Sequence, residues 1–368
     1  MKSFIIFLMA TGTFAAELQQ TSEIIDVLKT HYVDKDKLDQ KSLNDATADA
    51  ILKNLGIGAK LLTADEAASN AVPVIAPTTP PHEPLARAEI IDPNIGYIRI
   101  GDVTDDTAVD LDAELKKFAE QNVTGYILDL RFADGTNYAA AAAVASRFLP
   151  AGENLFALKR AKGEPKPYRT VEAPHSLAAE LADAPLMLLV NGQTRGSAEV
   201  LAGALRAQDR GIVIGGPTAG SAVAWEDVKL SDGRVLRVAT AKITFPNGHD
   251  TFPGGIVPDI IVKIDPKTER EAVFNVESNI TLTASLSPRV QKKGYSEADL
   301  VKAFRGEAIS PPLSQSESST NGLTLAGGSS TETNVASETE GEINTVRDVV
   351  LQRAVDILKG IRVLQAWQ

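Results

Sequence analysis

The stretch TRGSAEVLAGAL, Thr194 to Leu205, places Ser197 between an apolar run and a helical pattern. A hydroxyl at a strand-to-helix turn is where a hydrolase sets a nucleophile, since a helix start offers unsatisfied N–H groups to a developing oxyanion. Such a serine needs a base within hydrogen-bond reach. There is no cysteine, so thiol chemistry and a disulfide framework are excluded. Of the four histidines, His31 falls in a helical pattern, His82 in a proline-rich stretch and His175 in a polar loop. His249, in the turn PNGHDTFPGG beside a strand end, is the best-placed replacement base, with plain exposure as its alternative. Lys229 and Lys242 are amines on segments that read as paired strands. No His/Asp/Glu spacing suits zinc, no phosphate-cradling glycine loop is present, and DKDKLDQ lacks a calcium loop's central glycine and closing glutamate. No metal and no cofactor are expected.

The elements that must position these residues read as an alternation. NIGYIRI is a strand, TAVDLDAELKKFAEQ a helix with Ala108, Leu111, Leu115 and Phe118 on one face, and TGYILDLR a strand apolar enough to be buried on both sides. NYAAAAAVASRFL is a closely packing helix, PLMLLVN and GIVIGG are further strands, and the Ser197 helix lies between these two. Strand–helix–strand repetition predicts right-handed crossovers and a mainly parallel sheet. The segment from Leu230 to Gly255 reads as a hairpin turning at Asp232-Gly233 that caps or extends that sheet.

Outside this core, Lys2, the apolar run FIIFLMA and the small residues to Ala16 predict a signal peptide over 1–16, hence a secreted or periplasmic protein with no membrane span once it is removed. A helical region follows over 17–70, then a linker over 71–92 carrying five prolines from Pro73 to Pro84. The core covers 93–265 and a second helical region 266–308. Residues 309–341, rich in Ser, Thr, Gly and Glu, predict disorder. An amphipathic helix over 342–368 carries the stripe Val346, Val350, Ala354, Ile357 and Ile361, suited to the N-terminal helices or to a second subunit. The net charge of −11 argues against nucleic acid as a partner.

The motifs IGYIRI, GYILDLR followed by Gly135, GSAEVLAGAL, IVIGGPTAG and GGIVPDI resemble, in order and spacing, the carboxyl-terminal processing, or tail-specific, serine peptidases. The resemblance runs from Asn94 to Asp265 and extends more weakly to YVDKDKLD and LLTADEA. It implies a Clp-crotonase-like α/β core with a mainly parallel sheet and crossover helices, flanked by helical regions. It also implies partners that are polypeptides or peptide C-termini.

Two departures accompany it. The family's PDZ domain has no room, since roughly twenty residues, mostly the proline-rich stretch, separate LLTADEA from the core. The catalytic positions are also changed: the serine three residues before Glu199 is Gly196, the base lysine is Ser221 and the glutamine four residues later is Trp225. The family's oxyanion glycine corresponds to Gly135, with the Ser197 N–H as its partner, while Ala133 and Thr136 replace the loop's asparagine and second glycine. Ser197 is displaced by about 100° and 1.5 Å along a helix from the family's nucleophile, which leaves it an N-cap or a rearranged nucleophile. The reading that follows is an inactive pseudopeptidase binding peptides or partner proteins. The alternatives are an active serine endopeptidase using Ser197 or Ser221, with His249 as base, and an assembly protein dimerising through its terminal helices.

Overall fold

The computed structural model describes residues 24–27, 30, 40–68, 84–92, 94–172, 181, 183–274, 282–286 and 346–365. They divide into two compact units, 1–261 and 262–368. The expected signal peptide, residues 309–341, and His31, His82 and His175 lie outside the described residues.

Six strands of the first unit form one sheet: β2 (Leu85–Asp92), β3 (Ile95–Ile100), β4 (Gly125–Asp129), β7 (Leu186–Val190), β8 (Ile212–Gly215) and β11 (Ile260–Ile261). Their order is β11-β8-β7-β4-β3-β2. From β3 to β11 the pairings are parallel, and β2 closes the edge antiparallel to β3. GYILD and LMLLV are buried at every residue, as an interior parallel strand requires. Three crossover helices, α3 (Thr107–Glu120), α4 (Tyr138–Ala145) and α5 (Gly196–Ala207), share one core with Ile98, Leu128, Leu188 and Val213. The apolar stripe expected on α3 is its buried side: Ala108, Leu111, Leu115 and Phe118. Asn137 caps α4 by accepting from the N–H groups of Ala139 and Ala140.

A second sheet, antiparallel throughout, contains β1 (Ala59–Leu62), β5 (Asn154–Arg160), β6 (Lys166–Arg169), β9 (Val223–Lys229) and β10 (Val235–Thr244). Long β10 pairs with β9, β1 and β5, and β6 is an edge beyond β5. The expectation of a mainly parallel, Clp-crotonase-like core is therefore corrected: the strands split between a mixed sheet and an antiparallel one. The hairpin turning at Asp232-Gly233 forms as β9–β10, but it builds the second sheet instead of extending the first. The alternation over 154–169 was not read as strands, because LFALKR and KPYR are short and heavily charged. The 71–92 linker also needs correction at its end, since 85–92 pair with β3 as the edge strand. Within the helical region over 17–70, α1 (Gln40–Leu55) and α2 (Ala64–Ala68) flank strand β1.

In the second unit, α6 (Pro266–Val273) is capped by Asp265, which accepts from the N–H groups of Lys267 and Thr268. A short α7 (Leu282–Ser285) and a long α8 (Val349–Gln365) follow. The buried side of α8 is Val350, Leu351, Ala354, Val355 and Leu358, so the face turns from the expected stripe at Ile357 and Ile361. Asp348 fixes this start by accepting from the N–H of Leu351 at 2.9 Å.

Candidate functional site

In parallel α/β sheets, ligands bind beyond the carboxyl ends of the strands, where the crossover loops diverge. Here those ends are stitched together. The N–H of Asp134 donates to Gly101 O at 3.2 Å, and the N–H of Val103 donates to Asp134 O at 3.0 Å. On the other side the N–H of Arg195 donates to Ala133 O at 3.0 Å, and the N–H of Ser197 donates to Gly135 O at 2.8 Å. Residues 133–135 thus lie as a short central strand between 101–103 and 195–197, continuing the sheet order β7-β4-β3 past its regular end.

This stitching decides the state of each residue anticipated at the site. Gly196, the first residue of α5, has φ +55°, and a Cβ there would stand 2.0 Å from Gly135 O and 3.0 Å from Asp134 Oδ1. A side chain at that position meets both left-handed backbone strain and a backbone oxygen in its place. Ser197 is fully buried, and its hydroxyl donates to Val103 O at 3.4 Å. The N-cap place belongs to Arg195, which makes no side-chain cap. Gly135, at φ +138°, abuts the same hydroxyl: a Cβ on it would lie 2.2 Å from Ser197 Oγ. The two N–H groups expected to hold an oxyanion both have partners within the chain, because that of Gly135 donates to Asp134 Oδ1 at 2.7 Å.

Glu199 sits one turn into α5, fully buried, and organises the second half of the site. Its carboxylate accepts from the N–H groups of Gly220 (2.7 Å), Ser221 (3.0 Å) and Ala222 (3.1 Å), and from the Thr218 hydroxyl. Thr218 Oγ1 in turn accepts from the N–H of Ile256 at 2.7 Å. Burial raises the Glu199 carboxyl above the ordinary glutamate range, against the pull of these four hydrogen bonds. The helix thereby carries the 218–222 loop with it, and with the loop the half-buried Ser221. Trp225 follows on β9 opposite Ala239 and is 37% exposed, so its ring is not packed away in the core.

His249 lies exposed in the turn after β10, and its ring makes no hydrogen bond to any described site residue. Lys242 pairs with Asp250, and Lys229 is exposed on β9. The structure therefore brings Gly135, Gly196, Ser197, Glu199 and Ser221 together, and His249 makes no hydrogen bond to them from its exposed turn.

Sequence reasoning missed four contributors. Asp134 ties down the Gly135 amide and stands 3.8 Å from Arg195 Nε; the Asp-Gly pair at a strand end carried that signal. Tyr138 donates from its hydroxyl to Val223 O at 2.9 Å, and burial, with Glu199 nearby, pushes its hydroxyl well up from the tyrosine range. Asp129 and Arg131 form a fully buried pair beneath the loop, Arg131 Nη2 to Asp129 Oδ2 at 2.6 Å, with the Tyr97 hydroxyl donating to the same oxygen at 2.7 Å. Burial raises the Asp129 carboxyl, but the Arg131 guanidinium outweighs it and holds the group below its ordinary value.

Among the described residues, no helix is long and apolar enough to cross a membrane. Residues 94–262 match the model of peptidase family S41. The chain is 32% identical over 170 residues to a carboxyl-terminal-processing protease of Synechocystis, an alignment covering 46% of this chain and 38% of that one. It is 29% identical over 245 residues to a carboxy-terminal-processing protease of Bartonella bacilliformis, covering 60% and 55%. Among solved structures it is similar to a photosystem II D1 C-terminal processing protease, with 29% identity, a TM-score of 0.40, and coverage of 48% of this chain and 43% of that one. The chain spans about half or less of the length of these relatives.

Proposed function

From the match of residues 94–262 to the model of peptidase family S41, we propose that the chain is an exported pseudopeptidase of that family: it keeps the fold, does not hydrolyse peptide bonds and acts by binding polypeptide. One observation carries the proposal. The carbonyl of Gly135 occupies the space in which a side chain on residue 196 would begin, and it accepts the Ser197 N–H that an oxyanion would need. Hydrolysis needs a hydroxyl, a base and free donors at one place. Gly196 supplies no hydroxyl, Ser221 cannot act as a base near neutral pH, and both donors are engaged. The rearranged-site alternative finds no support in the buried Ser197 or in the exposed His249, whose ring makes no hydrogen bond to a described site residue. Export rests on the N-terminal signal pattern.

The test is incubation of the mature protein with a fluorophosphonate probe and with unfolded casein. No serine is expected to label and no casein to be cleaved. Labelling of a serine, with cleavage abolished by Ser197→Ala or Ser221→Ala, overturns the proposal. A second reading, assembly through the terminal helices, draws on Ile51 and Leu55 of α1, each more than half exposed. Light scattering that finds only monomers up to high micromolar concentration would rule it out.

A further inference from the structure

The β5–β6 hairpin concentrates positive charge on an acidic protein. Lys159, Arg160, Lys162, Lys166 and Arg169 fall within eleven residues with one carboxylate, Glu164, so the segment carries +4 (5 − 1) in a chain of net charge −11. All five are exposed, and none forms an ion pair with a described residue. Several cations elsewhere are matched: Arg147 to Asp112, Arg206 to Asp259, Arg237 to Asp227, Lys242 to Asp250. The arrangement is also costly. Lys159 stands directly opposite Lys242 across the β5–β10 ladder, and like charges in that relation destabilise a sheet.

The hairpin has an open side as well. Among the described residues β6 pairs with β5 alone, so its outer edge has no described strand partner. Below that edge the hairpin is firmly held. Phe156 stacks on Tyr168 at 4.8 Å between ring centroids, Lys166 lies 5.0 Å from the Tyr168 ring centre, and Phe156 is buried in the core. Lysines and Pro167 on such an edge repel a second copy of the same strand. The same charges attract a strand of opposite sign.

We propose that the β5–β6 hairpin is a docking surface for an extended acidic polypeptide segment, which lies along β6 with its carboxylates reaching Lys159, Lys162, Lys166 and Arg169. This rests on the reading of the chain as a polypeptide binder and names the chemistry of what it binds. The geometry favours an extended chain over an anionic membrane. By strand alternation Arg160 and Lys166 lie on the face of Tyr168, whereas Lys159 and Arg169 lie on the opposite face. A strand beside β6 projects side chains to both faces, but a flat lipid surface meets only one. The tip, Ala161 to Pro165, offers no large apolar anchor and carries Glu164.

The experiment is fluorescence anisotropy of a labelled twelve-residue Glu/Ser/Thr peptide titrated with the full chain at low and at physiological salt. A peptide with glutamine for every glutamate and phosphatidylglycerol vesicles run in parallel. Saturable binding of the acidic peptide is expected, weakening with salt and at least tenfold weaker in a Lys159→Glu, Lys162→Glu, Lys166→Glu variant. Lys162→Glu alone, at the exposed tip, should show a partial loss and decides the matter if the triple variant folds poorly. Absence of peptide binding, equal binding by the variants or by the glutamine peptide, or binding of vesicles in preference to peptide each overturns the proposal. The fluorophosphonate and casein assays report on the pseudopeptidase reading separately, since the hairpin substitutions touch no residue of the stitched site.

Discussion

The amide of Ser197 donates to the carbonyl of Gly135 at 2.8 Å, and with the Arg195 N–H on Ala133 O this hydrogen bond ties the start of α5 to the loop after β4. It makes the absence of a side chain at Gly196 a matter of backbone conformation as well as of residue type. Restoring a side chain is then a different operation from restoring a site.

Gly196→Ser is expected to destabilise the protein by about 1–3 kcal/mol, the range for overpacking and for a non-glycine residue in a strained left-handed conformation. Combined with Ser221→Lys it should still yield no casein cleavage above background. Thermal unfolding and a cleavage assay check the two parts, and robust hydrolysis by the double variant would show the loop to be far more adaptable than its stitching implies.

Ser197→Ala removes a hydroxyl whose one hydrogen bond is long, 3.4 Å to Val103 O. Its effect on stability should stay within about 1 kcal/mol, the low side of a typical intramolecular hydrogen bond. A urea titration measures it, and a loss of several kcal/mol would reveal a larger role for this oxygen.

Glu199→Ala leaves the N–H groups of Gly220, Ser221 and Ala222 without their acceptor. Each unsatisfied buried group costs about 1–3 kcal/mol, so a loss of roughly 3 kcal/mol or more is expected. Hydrogen exchange should show residues 218–222 losing protection ahead of β4 and β7. Unchanged protection there would mean that the loop is held by something other than Glu199.

The Asp129–Arg131 pair predicts acid sensitivity. Because the folded carboxyl of Asp129 sits below its unfolded value, the unfolded chain binds the extra proton. The stability this contributes is whole above about pH 4, the ordinary aspartate range, and is lost as pH falls through the folded value. Glu199 works in the opposite direction: its raised folded value means stability declines as pH climbs above the glutamate range toward that value. Arg131→Met should cost about 3–5 kcal/mol, as breaking a buried pair does, and should flatten the acid limb of the stability curve below pH 4. A melting series from pH 2.5 to 7 on both proteins checks it; an unchanged acid limb would assign that sensitivity to other groups.

Much of the mixed sheet was readable from residue pattern. β3, β4, β7 and β8 announce themselves as apolar runs, and the stripe of α3 falls at helical spacing. The second sheet was less legible. β5 and β6 expose most of their side chains and carry lysine and arginine, so their pairing depends on β10, some eighty residues later. Partnership at that distance leaves no periodic signature in the strands themselves. The turn of α8 toward Val355 and Leu358 was hidden for a similar reason, since several apolar faces were available and packing selects one.

The residue types at the site were settled by the sequence alone: no cysteine anywhere, glycine at 196, serine at 221, tryptophan at 225. The proposal that catalytic groups are missing rests on setting these residues against the family's pattern. Only the tertiary structure decided what fills their place. The Gly135 and Val103 carbonyls reach the Ser197 N–H and hydroxyl from segments distant in the chain, and the Asp134 carboxylate takes up the amide of the neighbouring Gly135. The physical reason is that every buried backbone N–H seeks a partner. Which oxygen satisfies it depends on how the strand ends of β3, β4 and β7 come together, a relation that no local stretch of sequence contains.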